Sequence, residues 1–245
     1  MKYRALPVYN NDNVEHRIDF NDTIVLFGDS QTDNQGGAGY TGGIGTNADA
    51  KLDKGWIWYA IGQHLKGGPR VLRNMGIGGS TVLRHDSSQN PMIDRYKNAI
   101  LYNPSIITFL GGVNDIQNFS DEESTPHKVM EGIITICDYF LKFGAEVIMQ
   151  TSWPKYFSSP TASQRAVNAK INTLAMYQRE YALSRPGILL IDSNKILSNP
   201  ASTELNALST VFNDGLHQGN LGARMIADVM GPKMLARWPH LKVDR

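Results

Sequence analysis

Short apolar runs recur along the chain at Ile24-Val25-Leu26-Phe27, Val71-Leu72, Ile106-Ile107-Thr108-Phe109-Leu110, Val147-Ile148-Met149 and Ile188-Leu189-Leu190-Ile191. An unbroken apolar run of this length reads as a strand buried on both faces, the pattern of a parallel sheet covered by helices. The runs predict strands at about 24–28, 71–74, 105–110, 146–151 and 188–192. Helix-period segments lie between them. Residues 56–65 carry apolar positions 57, 58, 61 and 65 and stop at Gly67-Gly68-Pro69. A helix over roughly 91–101 ends before Pro104, and one from 126 to 143 has apolar positions 130, 133, 134, 137, 140 and 141 before Gly144. Residues 163–183 present Val167, Ile171, Leu174 and Tyr181, and a last helix presents Leu221, Met225, Ile226, Val229 and Met230. Strands alternating with helices in this way predict one α/β domain of three layers around a parallel sheet of about five strands.

The 245 residues suffice for one large domain, read here as residues 21–245 with residues 1–20 as a polar arm or edge segment. The stretch from Asn34 to Gly55, with Gly36, Gly37, Gly39, Gly42, Gly43 and Gly45, reads as a long loop of the kind that forms a rim or lid. With 24 basic and 23 acidic residues, nothing argues for a nucleic acid or a membrane surface as partner. No apolar run approaches the length of a membrane span, and no signal-peptide core follows Met1. The expected location is therefore the cytoplasm, or a virion or secreted module without a signal of its own. A single cysteine, Cys137, excludes an intrachain disulfide and falls on the core stripe of its helix.

The polar candidates all follow predicted strands. Ser30 follows the first, Gly79 the second, Asn114 the third, and Asp214 and His217 lie beyond the fifth. In a parallel sheet those ends point one way, so residues far apart in the chain converge on one edge. Acyl transfer needs a nucleophile, a base, a group that orients the base, and donors for a developing oxyanion. Ser30 can be the nucleophile or merely a helix cap. Asp214 and His217, three apart, place a carboxylate beside an imidazole if they share a helical turn. Gly79 offers an unobstructed backbone N–H, Ser30 offers its own, and Asn114 offers an amide.

Two other chemistries fit less well. Gly37-Ala38-Gly39-Tyr40-Thr41-Gly42 matches the dinucleotide-binding glycine pattern but stands well past the first strand turn. His16, His64, His85, His127, His217 and His240 show no ligand spacing, so neither metal nor cofactor is expected.

The order Gly28-Asp29-Ser30, Asn74-x-x-x-x-Gly79, Gly112-Val113-Asn114-Asp115 and Asp214-x-x-His217 resembles the SGNH, or GDSL-type, serine hydrolase family over residues 24–230. The resemblance implies a flavodoxin-like sandwich, Ser30 as nucleophile, His217 as base, Asp214 as its orienter, and Ser30, Gly79 and Asn114 as oxyanion donors. Gln31 stands where lipase-like members often carry Leu, and Gln218 where Pro is common. Gly78-Gly79-Ser80-Thr81 departs from the frequent Ser-Gly-Asp-Thr and leaves open which of Gly76, Gly78 and Gly79 donates. Asp29 and Asp115 read as turn and cap residues.

The implied activity is ester hydrolysis on a small-molecule or polysaccharide ester. Asp29, Gln31, Trp153 and Tyr156 are candidate substrate contacts, and Trp56 and Trp58 join the last two as rings that would suit stacking on a sugar. Removal of acetyl groups from a carbohydrate is the leading expectation. A short-chain lipase or thioesterase and a non-catalytic carbohydrate-binding module are the alternatives.

Overall fold

The computed structural model describes residues 23–34, 55–65, 70–85, 90–120, 122–199 and 207–241. The expected arm at 1–20 and nearly all of the glycine-rich stretch lie outside these residues.

The five strands are β1 (Thr23–Gly28), β2 (Arg70–Gly76), β3 (Ile106–Leu110), β4 (Glu146–Gln150) and β5 (Ile188–Ile191), all parallel in the order β2-β1-β3-β4-β5. Alternation along each strand sends its side chains to two cores. Val25, Phe27, Ile107, Phe109, Val147 and Met149 face α6 (Pro126–Lys142) and α7 (Ala162–Leu183). Ile24, Leu26, Ile106, Ile148 and Ile191 face α2 (Trp56–Tyr59), its π-helical continuation Ala60–His64, and α9 (Asn220–Arg237). This is the three-layer α/β/α architecture.

The helices start where the sequence supplies caps. Thr125 Oγ1 accepts from the Lys128 N–H ahead of Pro126, and Thr161 and Gln164 form a reciprocal capping box on α7. Cys137 is fully buried on α6, and burial pushes its thiol up, away from the reactive thiolate.

Several elements differ from expectation. The helix over 91–101 is two short pieces, α3 (Met92–Arg95) and α4 (Lys97–Ile100). Short helices α1 (Ser30–Asn34), α5 (Val113–Asn118) and α8 (Ser193–Leu197) stand where loops were expected. On α9 the buried stripe is Gly222, Ala223, Ile226, Ala227, Met230, Gly231 and Met234, whereas Leu221 is 51% exposed. Ile226 and Met230 of the expected face are buried, and glycine and alanine share the stripe because the helix contact is close: a Cβ on Gly231 would meet His64 Cβ at 2.4 Å.

The sheet order fixes where a site can form. The chain leaves β1 in one direction to β2 and returns to β3 on the other side, so the crevice of a doubly wound sheet opens between β1 and β3. Register levels the strand ends there, with Gly28 opposite both Gly76 and Leu110.

Candidate active site

Ser30 lies just beyond β1, at the crevice. The preceding turn demands glycine: a Cβ on Gly28 would come within 2.2 Å of Thr32 Oγ1 and 2.4 Å of the Leu110 carbonyl oxygen. The turn is stitched by Asp29, whose carbonyl accepts from Thr32 and Asp33 N–H and whose Oδ1 accepts from Gln31 N–H at 2.9 Å. Asn74 ties α1 to β2, its amide donating to the Thr32 and Asp33 carbonyls.

Ser30 Oγ is 2.8 Å from His217 Nε2, and His217 Nδ1 is 2.6 Å from Asp214 Oδ2. These partners fix the tautomer: Nδ1–H donates to the carboxylate and Nε2 accepts from the hydroxyl. The expected sharing of a helical turn by Asp214 and His217 does not hold, since α9 begins only at Asn220. Instead Asp214 Oδ1 accepts from the Leu216 and His217 N–H groups at 3.0 and 2.8 Å, an Asx-type turn. Its base is closed by a bridge between Phe212 and Gln218 and by Asn213 N–H donating to the His217 carbonyl. Burial pushes the Asp214 carboxyl up, but hydrogen bonds from the His217 ring and from two backbone N–H groups outweigh it and hold it below the ordinary carboxylate range.

The glycine question narrows. Gly76 N–H is spent on Asn74 Oδ1 at 2.9 Å, and Ile77 N–H on the Gly28 carbonyl. Gly79 has φ +72, and a Cβ there would meet nothing within 4 Å, so its backbone faces open space. Asn114, on the first turn of α5, gives one amide hydrogen to the Ser80 carbonyl at 2.9 Å and has a second to spend. Ser30, Gly79 and Asn114 thus stand on three adjoining strand ends. Asp115 braces the same loop from beneath, accepting from Val82 and Leu83 N–H at 2.7 and 3.0 Å and contacting His85 Nε2 at 3.3 Å.

Three expected substrate contacts require correction. Asp29, Gln31 and Trp153 are completely buried. Asp29 is turned into the strand–helix junction. Gln31 Nε2 approaches the Leu216 carbonyl at 3.5 Å, and the Trp153 indole N–H donates to the same carbonyl at 3.2 Å. None presents a face to a ligand. Tyr156 is half-buried, its N–H bonded to the Gly215 carbonyl in the Asp214 turn. Trp56 is also buried, whereas Trp58 is 48% exposed.

Sequence reading missed Arg95 and Ser80. Arg95, from α3, donates to the carbonyls of Gly28 and Met75, each at 2.6 Å. No motif flags an arginine that bonds backbone rather than a carboxylate. Gln218 was noted only as a departure, yet its amide donates to the Gln31 carbonyl at 3.2 Å and joins the histidine turn to the serine turn. Among the described residues no cluster of three or more His, Cys, Asp or Glu could hold a metal ion, and no helix is long and apolar enough to cross a membrane.

A hydroxyl, an imidazole and a carboxylate in line, with backbone and amide N–H groups on the adjoining strand ends, form an arrangement that can carry out acyl transfer. Comparisons with known proteins bear on the family. The family model of the GDSL-like lipase/acylhydrolase family matches residues 26–225. A GDSL-like lipase from Bacteroides thetaiotaomicron superposes with a TM-score of 0.64 at 13% identity, covering 91% of this chain and 93% of that one. A variant of an acetyl-xylooligosaccharide esterase from Geobacillus gives 0.64 at 17% identity, with 91% and 97% covered. The M. smegmatis aryl esterase gives 0.63 at 15% identity, with 88% and 99% covered. No curated protein matches the chain. With the family model spanning most of its length, the chain belongs to the GDSL-like lipase/acylhydrolase family.

Proposed function

We propose that the protein is a serine esterase working through an acyl-enzyme, and that its substrates are O-acetyl groups on a carbohydrate. The observation that carries the first half is the continuous relay from Ser30 Oγ through the His217 ring to Asp214, with contacts of 2.8 and 2.6 Å. Ser30 Oγ attacks the ester carbonyl carbon as its proton passes to His217 Nε2. Asp214 steadies the imidazolium so formed. The carbonyl oxygen becomes an oxyanion held by the N–H groups of Ser30 and Gly79 and by the Asn114 amide. His217 returns the proton to the departing alcohol. Water then attacks the acyl-enzyme by the same route and releases the acid.

The carbohydrate half has narrower support. Burial of Trp56 and Trp153 leaves Trp58 and Tyr156 as the rings with some exposure for stacking on a sugar. One relative in fold is an esterase of acetylated xylooligosaccharides.

Hydrolysis of p-nitrophenyl acetate, p-nitrophenyl octanoate and acetylated xylooligosaccharides tests both halves. Ser30→Ala should abolish turnover and labelling by a fluorophosphonate, and His217→Ala should lower kcat by about a thousandfold or more with the fold retained. Activity surviving Ser30→Ala removes the nucleophile assignment. A large preference for octanoate removes the deacetylase reading and leaves the esterase.

A further inference from the structure

One half-buried cation bonds to both segments that carry the backbone donors. Arg95, the last residue of α3, sends Nη1 to the Met75 carbonyl at 2.6 Å and Nη2 to the Gly28 carbonyl at 2.6 Å and to Ser80 Oγ at 3.1 Å. Its Nε donates to the Asn90 carbonyl at 3.2 Å, and Ser80 Oγ donates to that same oxygen at 2.7 Å. Three of the four acceptors adjoin the site: Gly28 is two residues before Ser30, Met75 is the penultimate residue of β2, which leads to Gly79, and Ser80 follows Gly79. The Ser80 carbonyl, in turn, accepts the Asn114 amide.

The choice of partners is informative. A guanidinium partly withdrawn from water is commonly matched by a carboxylate, because an unpaired charge becomes costly as water is removed. Here the fork is spread over three carbonyls and a hydroxyl, with Asp29 acting through space and the Phe27 ring 4.6 Å from the guanidinium carbon. A planar group with several donors in fixed directions sets the spacing of its acceptors, which a lysine, a point charge on a flexible stem, does not.

We infer that Arg95 is a positioning residue for acyl transfer: it fixes the Ser30 turn against the Gly79–Ser80 segment, and through Ser80 the Asn114 amide, so that the oxyanion donors converge. This rests on the serine esterase reading. Donors out of place weaken contacts that exist only in the transition state, so the loss falls on kcat and spares KM.

The test compares wild type, Arg95→Lys and Ser80→Ala on p-nitrophenyl acetate. Assays run well below each melting temperature, with competent sites counted by fluorophosphonate titration. Arg95→Lys should lose about tenfold or more in kcat per titrated site with KM within about twofold. The acid limb of its kcat–pH profile should not move, because the hydrogen bonds of Arg95 run to the Met75, Gly28 and Asn90 carbonyls and to Ser80 Oγ. Ser80→Ala removes one of the four acceptors and should lose about threefold in the same direction. Wild-type kcat per site in both variants, with only a lowered melting temperature, makes Arg95 a packing group and overturns the inference. If Arg95→Lys does not fold, Ser80→Ala decides alone, and unchanged kcat overturns it. Failure of the wild type to turn over ester or to be labelled is a different outcome, which removes the esterase reading beneath it.

Discussion

At the scale of single residues, the polar groups that resembled a family pattern and the aromatic groups chosen for their chemistry fared differently. Ser30, Asp214 and His217 stood out by their order along the chain, and the structure brings their side chains within hydrogen-bond reach of one another. Trp153 and Gln31 were misread because type alone does not say which way a side chain points, and both are fully buried. Asp29, read both as a turn residue and as a substrate contact, holds the turn from a buried position, and its burial has a measurable consequence. Burial, aided by the nearby Asp115 charge and opposed by the Gln31 N–H and Arg95, pushes its carboxyl up to about 7. The unfolded chain loses this proton near the ordinary value of 3.8, so between about pH 4 and 7 the folded state holds a proton that the unfolded state has released. Stability from this group therefore falls as pH rises through that window and is flat above it. Asp214 and Asp192, both held below 3.8, lose their contributions only as pH falls below that value, outside the window. Asp29→Asn should remove the slope. Melting temperatures at pH 5 and 8 should diverge between wild type and variant, and parallel curves would show that Asp29 ionises normally.

At the scale of elements, long amphipathic helices and buried strands were legible, because α6, α7 and the five strands each carry one dominant period. Short elements were not. Helix α5 is short and begins within the Gly112-Val113-Asn114-Asp115 motif, and the Asp214–His217 turn owes its shape to side-chain acceptance of backbone N–H groups, which leaves no periodic trace. On α9 the expected Ile226 and Met230 are buried, but the glycines and alanines that share their stripe, against which the neighbouring helix packs, were missed. Helix α5 also supports its surroundings. Asp115 is a completely buried carboxylate whose oxygens accept the Val82 and Leu83 N–H groups. Asp115→Ala would leave the buried Val82 N–H and the half-buried Leu83 N–H without this partner, each at a cost of about 1–3 kcal/mol. Urea denaturation should show a loss on the order of 3–5 kcal/mol, with partial recovery in Asp115→Asn, which keeps an acceptor. A loss below about 1 kcal/mol would mean that the loop finds other acceptors.

At the scale of the whole molecule, the parallel register explains why chain order and spatial order differ so widely. Level strand ends bring residues 30, 79, 114 and 217 to one edge, while the opposite edge is free to serve stability. The far end of the chain contributes to that second task. Trp238 is fully buried against the α2–α9 core, and its indole N–H donates to Glu146 Oε1 at 3.1 Å, on the first residue of β4. Trp238→Ala should cost about 3–5 kcal/mol. For a chain of this size that lowers the melting temperature by roughly 6–20 °C. Turnover at 25 °C should stay within about twofold of wild type, since the substitution lies beyond the strand ends that bear the site. A fall in turnover matching the fall in melting temperature would show that the two edges are coupled.

The turn that carries Asp214 and His217 is closed on itself by the Phe212–Gln218 bridge and by its own backbone donors. The imidazole and carboxylate therefore travel as one cassette whose internal geometry owes little to the sheet. Lengthening or shortening the chain on either side would slide the cassette toward or away from the serine without disturbing the pair, leaving reach, rather than basicity, as the quantity that loop length tunes.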